Sequence, residues 1–385
     1  MARSGVIRAY KYRIYPTKKQ ENQMQEHLWT AKNLWNALLA HSNDYYQKTG
    51  KFPGQYDLQK LVKGKGLYAQ TQQAIAHKVS NSIFRVFKLK KKGVKCGFPR
   101  FKSIDRMKSL VYPQLGFKLE KKLYITPFGE INIKKHREIE GKIKTLILKR
   151  ESSGKWFAIL CSEKEKQQEQ GSSRMNKEQQ IGIDLGLKYF ATLSNGEVIK
   201  NPRHLKGHEE QLSQLQRRLS KSKKGSHNRK KAKLKVARLH EKISNTRMDF
   251  LHKTSLRLVN TYSLIALEKL ASSEMLQKNF GKQINDAGWN MFANMVSYKA
   301  ESAGCNIVFV NPKNTTKLCS GCGAIVEKEL SERIHRCPSC GLVTDRDLNA
   351  ARNILIRATE GHSGSQASGD NRKEVLSLKE EAHNI

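Results

Sequence analysis

Cys319-Ser-Gly-Cys322 and Cys337-Pro-Ser-Cys340 are two CxxC knuckles separated by 14 residues, each followed at once by a glycine, Gly323 and Gly341. Four thiolates at that spacing close a tetrahedron around one zinc ion, which folds the chain between them into a ribbon. Buried free thiols or a redox CxxC rarely produce two such knuckles. Protein sulfur fills all four positions and leaves no place for water or substrate. The zinc is therefore expected to be structural, with the chemistry elsewhere. Cys96, Cys161 and Cys305 lie apart from any partner spacing and read as ordinary small side chains.

The charge narrows the partner. Among 385 residues, 72 Lys and Arg stand against 34 Asp and Glu, a net +38. Such an excess suits a polyanion. There is no run of 18 apolar residues, and Met1–Tyr15 lacks the apolar core of a signal peptide, so the expected location is cytoplasmic, on the nucleoid when bound to DNA. The basic residues are spread through periodic segments instead of one cluster beside an apolar span, which favours nucleic acid over a membrane. Residues 217–242 hold twelve Lys or Arg against one acid, Glu241. Lys221, Lys223, Lys224, Arg229, Lys230, Lys231, Lys233 and Lys235 in that run form a candidate phosphate clamp, more one-sided than a solvated helix face needs to be.

Tyr10–Tyr15 alternates as a strand and stops at Pro16, and Thr17-Lys-Lys-Gln20 has the pattern of a capping box. Met24, Leu28, Ala31, Trp35 and Leu38, then Ile75, Val79, Ile83 and Val86, recur at helical spacing. Short alternating runs between 98 and 161 predict a small barrel. A polar stretch, 163–180, reads as a linker. Strands are predicted at 181–186, 189–193, 197–199, 263–267 and 306–310, with a long basic helical stretch among them. After 358 the Gly, Ser, Glu and Lys of residues 359–385 predict a disordered tail. On the second helix, Gln72, Gln73, Lys78 and Asn81 could read base edges, although such residues are ordinary on a helix surface.

Three acids punctuate element ends. Asp184 lies on a strand whose period sends its carboxylate to the face opposite Ile181, Ile183 and Leu185; Glu268 closes the run 264–267; Asp347 opens the helical segment 347–354. Taken singly each could be a solvated end or an N-cap. Their order, an Asp before a hairpin, a Glu after a later strand and an Asp at a C-terminal helix start, resembles that of RNase H-like, RuvC-type nucleases. Acidic oxygen ligands of this kind suit two magnesium ions about 4 Å apart, which assist the attacking water and the departing oxygen in phosphodiester hydrolysis.

The segments Ile181-Gly-Ile-Asp-Leu-Gly186, Ala266-Leu-Glu268, the cysteine knuckles, Asp345-Arg-Asp347-Leu-Asn-Ala-Ala-Arg-Asn-Ile354, the N-terminal Tyr-Arg-Ile-Tyr-Pro-Thr-Lys-Lys-Gln and Gly97-Phe-Pro-Arg-Phe-Lys102 resemble the transposon-encoded TnpB family, relatives of type V CRISPR effectors. The likeness spans nearly everything except the linker and tail. Thr315-Thr316 departs mildly from the Thr-Ser usual there, and the Asn-Ala-Ala register favours Asp347 over its neighbour Asp345 as the third acid. The resemblance implies a multidomain α+β chain. A wedge-like β-barrel (1–16 and 95–162) holds an inserted helical recognition block (17–94). After the linker comes a RuvC-like nuclease domain (181–312 and 343–358) with a basic helical insert (203–260) and a zinc ribbon (313–342). It further implies an RNA-guided DNA endonuclease: a guide RNA from the transposon end pairs with double-stranded target DNA, a short adjacent motif licenses binding, and Asp184, Glu268 and Asp347 serve as the acidic triad with magnesium. A single copy acting with its RNA is the expected state. A strand-transferring transposase and a guided repressor that has lost cutting are the alternatives, the latter expected to lack one of the acids. A plain zinc-ribbon transcription or RNA-binding factor ranks last, because it leaves the acids unexplained.

Overall fold

The computed structural model describes residues 6–164, 179–270, 281–329 and 332–360, in two compact units that divide after Gln170. The expected linker lies mostly outside the described residues, and its two margins are strand rather than loop. Most of the expected tail also lies outside them, and its first two positions are helical.

In the first unit, strand β1 (Val6–Tyr15) stops just before Pro16, and helix α1 (Lys18–Thr49) begins two residues after that proline. The capping box is formed: Gln20 N–H donates to the Thr17 hydroxyl at 3.3 Å, and Thr17 N–H donates to Gln20 Oε1 at 2.9 Å. Helices α2 (Gln55–Lys60) and α3 (Ala69–Lys91) follow. The stripe Met24, Leu28, Ala31, Trp35, Leu38 of α1 and Ile75, Val79, Ile83 of α3 share one core with Tyr12, Ile14, Leu110, Leu146 and Leu160 of the sheet. That sheet adds β2 (Ser109–Pro113), β3 (Phe117–Leu119), β4 (Leu123–Ile125), β5 (Gly129–Lys134), β6 (Lys142–Arg150) and β7 (Trp156–Lys164). Its order is β2-β6-β7-β1-β5-β4-β3, antiparallel throughout. The N-terminal strand is thus central, and the expected small barrel takes the form of a nearly closed sheet with the short strands β2 and β3 at its ends.

The second unit is built on a mixed sheet of β8 (Gln180–Leu185), β9 (Tyr189–Leu193), β10 (Val198–Lys200), β11 (Leu264–Glu268) and β12 (Asn306–Val310), in the order β10-β9-β8-β11-β12. The first three strands form an antiparallel meander, while β11 runs parallel to both β8 and β12. Burial on both faces explains why β11 is a continuous apolar run before Glu268. One face packs Ile181, Ile183 and Phe190 against helices α5 (His227–Thr261), α6 (Gly281–Ala287) and α7 (Trp289–Ala303) through Leu258, Ile284, Phe292 and Val296. The other packs Leu264, Ala266 and Val310 against Ile354 and Ala358 of α8 (Arg346–Glu360).

The segment 203–260 contributes to two hydrophobic clusters. Helix α4 (Glu209–Lys221) and the first part of α5 form a hairpin with a small core of its own, Leu212, Leu239 and Ile243. From Leu251 onward α5 belongs to the main core of the sheet. Its dense lysines hide that change, because they dilute the apolar stripe on the same helix. The cysteine segment includes a hairpin of β13 (Ile334–Arg336) and β14 (Val343–Asp345), and β14 runs straight into α8.

Candidate active site and metal centre

Parallel pairing of β8 with β11 sets Ile183 beside Leu267, and one further step along the same register brings Asp184 beside Glu268 at the carboxyl ends of both strands. That is the edge where open α/β sheets expose ligand-binding crevices. Period-2 geometry puts Asp184 on the face of Gly182, and that face is covered by α8. A Cβ at Gly182 would lie 2.1 Å from the Ala351 carbonyl oxygen and 2.7 Å from the Leu355 nitrogen. Only glycine lets the helix backbone settle this closely on the strand. Asp347 stands one turn before Ala351, so the crossing that needs Gly182 also carries Asp347 toward Asp184.

The electrostatics agree with that convergence. Burial, followed by the negative charges of Glu268 and Asp347, pushes Asp184 up to about 8, with Arg346 opposing. Glu268 is also raised by burial, against the Thr315 hydroxyl and Arg357. Asp347 is only 13% exposed at its side chain and pairs with Arg346 (Nη2 at 3.0 Å) and Arg333 (Nη1 at 3.3 Å). Asp345, its neighbour, accepts from the backbone N–H groups of Asp347 (2.8 Å) and Leu348 (3.2 Å) and so caps α8. That duty separates the two aspartates: one oxygen of Asp345 is spent on the helix start, while Asp347 pairs with Arg333 and Arg346 and acts more strongly than Asp345 on Asp184. Clustered acids with a raised proton affinity are what hard divalent cations relieve, and the oxygen donors fit magnesium. Among the described residues the three carboxylates do not draw together as tightly as the cysteines.

Among the described residues, Cys319, Cys322, Cys337 and Cys340 are the group whose ligand atoms all lie within 4.8 Å of one another. The Cys319–Cys340 and Cys322–Cys337 sulfurs are 3.6 Å apart, against about 3.8 Å for the edge of a zinc–thiolate tetrahedron with bonds near 2.3 Å. The four thiols therefore fit one zinc ion. Each knuckle turns back through a left-handed glycine, Gly323 (φ 75°) and Gly341 (φ 74°), whose N–H groups donate to the Cys319 and Cys337 carbonyls.

The candidate nucleic-acid residues are divided between the two units. Lys221, Lys223, Lys224, Lys230, Lys231, Lys233 and Lys235 are exposed around the α4–α5 turn. Arg229 is different: its Nη1 donates to the carbonyls of Leu219 (2.7 Å) and Ser222 (3.0 Å), so its guanidinium closes the end of α4 instead of facing outward. On α3, Gln73, Lys78 and Asn81 are exposed. Gln72 is 5% exposed and gives its amide to the Leu67 carbonyl at 2.7 Å, which removes it from any outward-facing set. Sequence reasoning missed Lys102. Its ammonium lies 3.3 Å from the centroid of the Trp35 ring and is pushed down to about 8 by burial and by Lys78. It also passed over Arg333 and Arg346, which pair with Asp347, and Asn349 and Asn353, which bond the segment 315–320; closeness to Asp347 in the chain was a signal for all of these but Arg333, which lies 14 residues away.

Residues 160–279 match the family profile described as "Probable transposase", residues 289–354 match "Cas12f1-like, TNB domain", and residues 1–51 match a profile described as "Helix-turn-helix domain". The described part of that last segment is a strand and one long helix. A Streptomyces pristinaespiralis protein named "Putative RNA-guided DNA endonuclease" is 32% identical over 369 residues, covering 91% of this chain and 89% of that protein. "Putative RNA-guided DNA endonuclease InsQ" of Escherichia coli (strain K12) is 28% identical, covering 91% and 92%. "TnpB-like protein L79" of Acanthamoeba polyphaga mimivirus is 30% identical over 200 residues, covering 47% and 38%.

Proposed function

The chain belongs to the TnpB family, and from that premise we propose that it is an RNA-guided DNA endonuclease that hydrolyses guide-complementary double-stranded DNA beside a short adjacent motif. The observation that carries this reading is the pairing that brings Asp184 and Glu268 to two neighbouring strand ends under α8, with Asp347 of that helix among the charges that raise Asp184.

In this reading the β8–β11–α8 junction is a RuvC-like site whose three carboxylates hold two magnesium ions. Magnesium, when bound, supplies the positive charge that sharpens an attacking water and relieves the departing 3′ oxygen. Asp184 is the central ligand and must surrender its proton to act, so its affinity for cations rises with pH. Glu268 is oriented by the Thr315 hydroxyl, and that hydroxyl and Arg357 partly offset the burial that raises its proton affinity. Arg333 and Arg346 neutralise Asp347 and, on leaving it, supply guanidiniums suited to a phosphate oxygen. Cys319, Cys322, Cys337 and Cys340 hold one structural zinc. The exposed lysines of the α4–α5 turn engage phosphate of the guide or heteroduplex, and Gln73, Lys78 and Asn81 are candidates for reading the adjacent motif.

The test is cleavage of a plasmid carrying the guide-matched sequence by protein isolated with its RNA. Cutting that requires a divalent cation and disappears in Asp184→Ala is expected. Cutting that survives in Asp184→Ala removes the site; joined transposon-end products in place of cut target would identify a strand-transferring transposase instead.

A further inference from the structure

Thr315 lies at the start of the cysteine ribbon and is 2% exposed, so its hydroxyl has no water to turn to. It donates to Glu268 Oε1 at 2.5 Å; the Pro312 carbonyl, at 3.1 Å, is the longer and uncharged alternative for its single proton. A hydroxyl–carboxylate contact of this length is charge-assisted. Forty-seven residues of chain separate the pair, and what holds Thr315 in place comes from a third element. Asn353 of α8, 5% exposed, donates its amide to the Thr315 carbonyl at 2.9 Å and to the Leu318 carbonyl at 2.7 Å. One turn earlier, Asn349 is fully buried. It donates to the same Leu318 carbonyl at 2.6 Å and accepts from Ser320 N–H, beside Cys319, at 2.9 Å. Helix α8 therefore carries Asp347 itself and, through Asn353 and Thr315, reaches round to the carboxylate of Glu268.

We propose that Thr315 is a positioning residue for the acidic site: its hydroxyl fixes one oxygen of Glu268, leaves the other directed to the cation, and ties that carboxylate through Asn353 to the helix bearing Asp347. This rests on the reading of Asp184, Glu268 and Asp347 as cation ligands. Losing an oriented hydrogen bond to a ligand of this kind costs about 10- to 100-fold in metal affinity or activity. Thr315→Val keeps the shape of the buried side chain and removes only the hydroxyl; Thr315→Ser keeps the hydroxyl.

The experiment uses the full chain isolated with its RNA and reads the site without relying on turnover. Fe²⁺ replaces Mg²⁺, ascorbate and peroxide are added, and mass spectrometry follows polypeptide scission near residues 184, 268 and 347 as Fe²⁺ is raised. Guide-matched plasmid cleavage against Mg²⁺ is measured alongside, with zinc content as the fold control. The expected result is a midpoint for both cations raised about tenfold or more in Thr315→Val, near wild type in Thr315→Ser, and no added effect of Thr315→Val on the scission midpoint in a Glu268→Gln background. Equal midpoints in wild type and Thr315→Val overturn the proposal, as does equal loss in Val and Ser, which would mean packing alone. Should Thr315→Val lose its zinc, Thr315→Ala, which adds nothing to the buried site, is judged by the same outcomes. A wild-type chain that shows the scission pattern yet cuts no guided target defeats the proposed function and leaves this inference standing. Scission absent from the wild type defeats both.

Discussion

Asp184 keeps a proton to about pH 8 because burial and two neighbouring acids oppose its charge. Its ordinary value, and the unfolded one, is 3.8. A carboxyl whose folded pKa is raised binds more protons folded than unfolded, so without magnesium the folded state loses stability as pH climbs from about 4 to about 8, then levels off. Asp184→Asn removes that liability. Expected are loss of guided cleavage and a gain of order 1 kcal/mol at pH 8 in magnesium-free buffer, about 2–4 °C in Tm for a unit of this size, vanishing toward pH 4. Thermal melts across that range check it, and a variant less stable than wild type at pH 8 would contradict the crowding of the acids. The face Asp184 occupies was legible from strand alternation alone. Thr315, Asn349 and Asn353 were not: a hydroxyl or an amide carries no charge pattern, and these pair with groups 29 to 47 residues away.

At the scale of elements, the site is a crossing of α8 over β8, and Gly182 makes the crossing possible. Gly182→Ala sets a methyl against the Ala351 carbonyl and the Leu355 backbone, neither of which can swing aside. It should cost about 1–3 kcal/mol in chemical denaturation and abolish cleavage by lifting Asp347 away from Asp184, while zinc stays bound. A Gly182→Ala protein that cuts normally would mean the close approach is dispensable. The ribbon acts on the same helix from its other side. Cys337→Ser should lose zinc and, by freeing the segment 315–320 that Asn349 and Asn353 grip, reduce cleavage although no thiol belongs to the acidic site; zinc content measured with activity tests it. The capping box, the two apolar helical stripes and the paired knuckles were all readable, because each is a local pattern. The division of α5 between hairpin and core was not, since one continuous helix serves two hydrophobic clusters and its lysines mask the handover at Leu251. Nor was the gap between β2 and β3, which depends on strand pairings between distant segments.

For the whole molecule, the net charge of +38 is a statement about nucleic acid and salt. Each lysine that neutralises a phosphate releases condensed counterion, so affinity falls linearly on a log–log plot against salt, with a slope of about 0.9 per contact on duplex and about 0.7 on single strands. Lys230, Lys231 and Lys235 are exposed on α5 near its start, away from the residues that pack the hairpin. Replacing all three with Ala should leave folding and zinc content unchanged. If they are phosphate contacts, it should make the salt slope shallower by about 2 to 3, weakening matched and unmatched nucleic acid alike, because contacts of this kind carry no sequence information. Arg229 serves as the internal contrast. Its guanidinium binds carbonyls of the α4–α5 turn, so Arg229→Ala should lower the melting temperature and hardly alter the slope. Binding isotherms of the guide RNA from 50 to 300 mM salt separate the two kinds of basic residue. If the triple-alanine chain kept the wild-type slope, the lysine run would be a solvated face, and the phosphate contacts would have to be sought among the other basic residues of the chain.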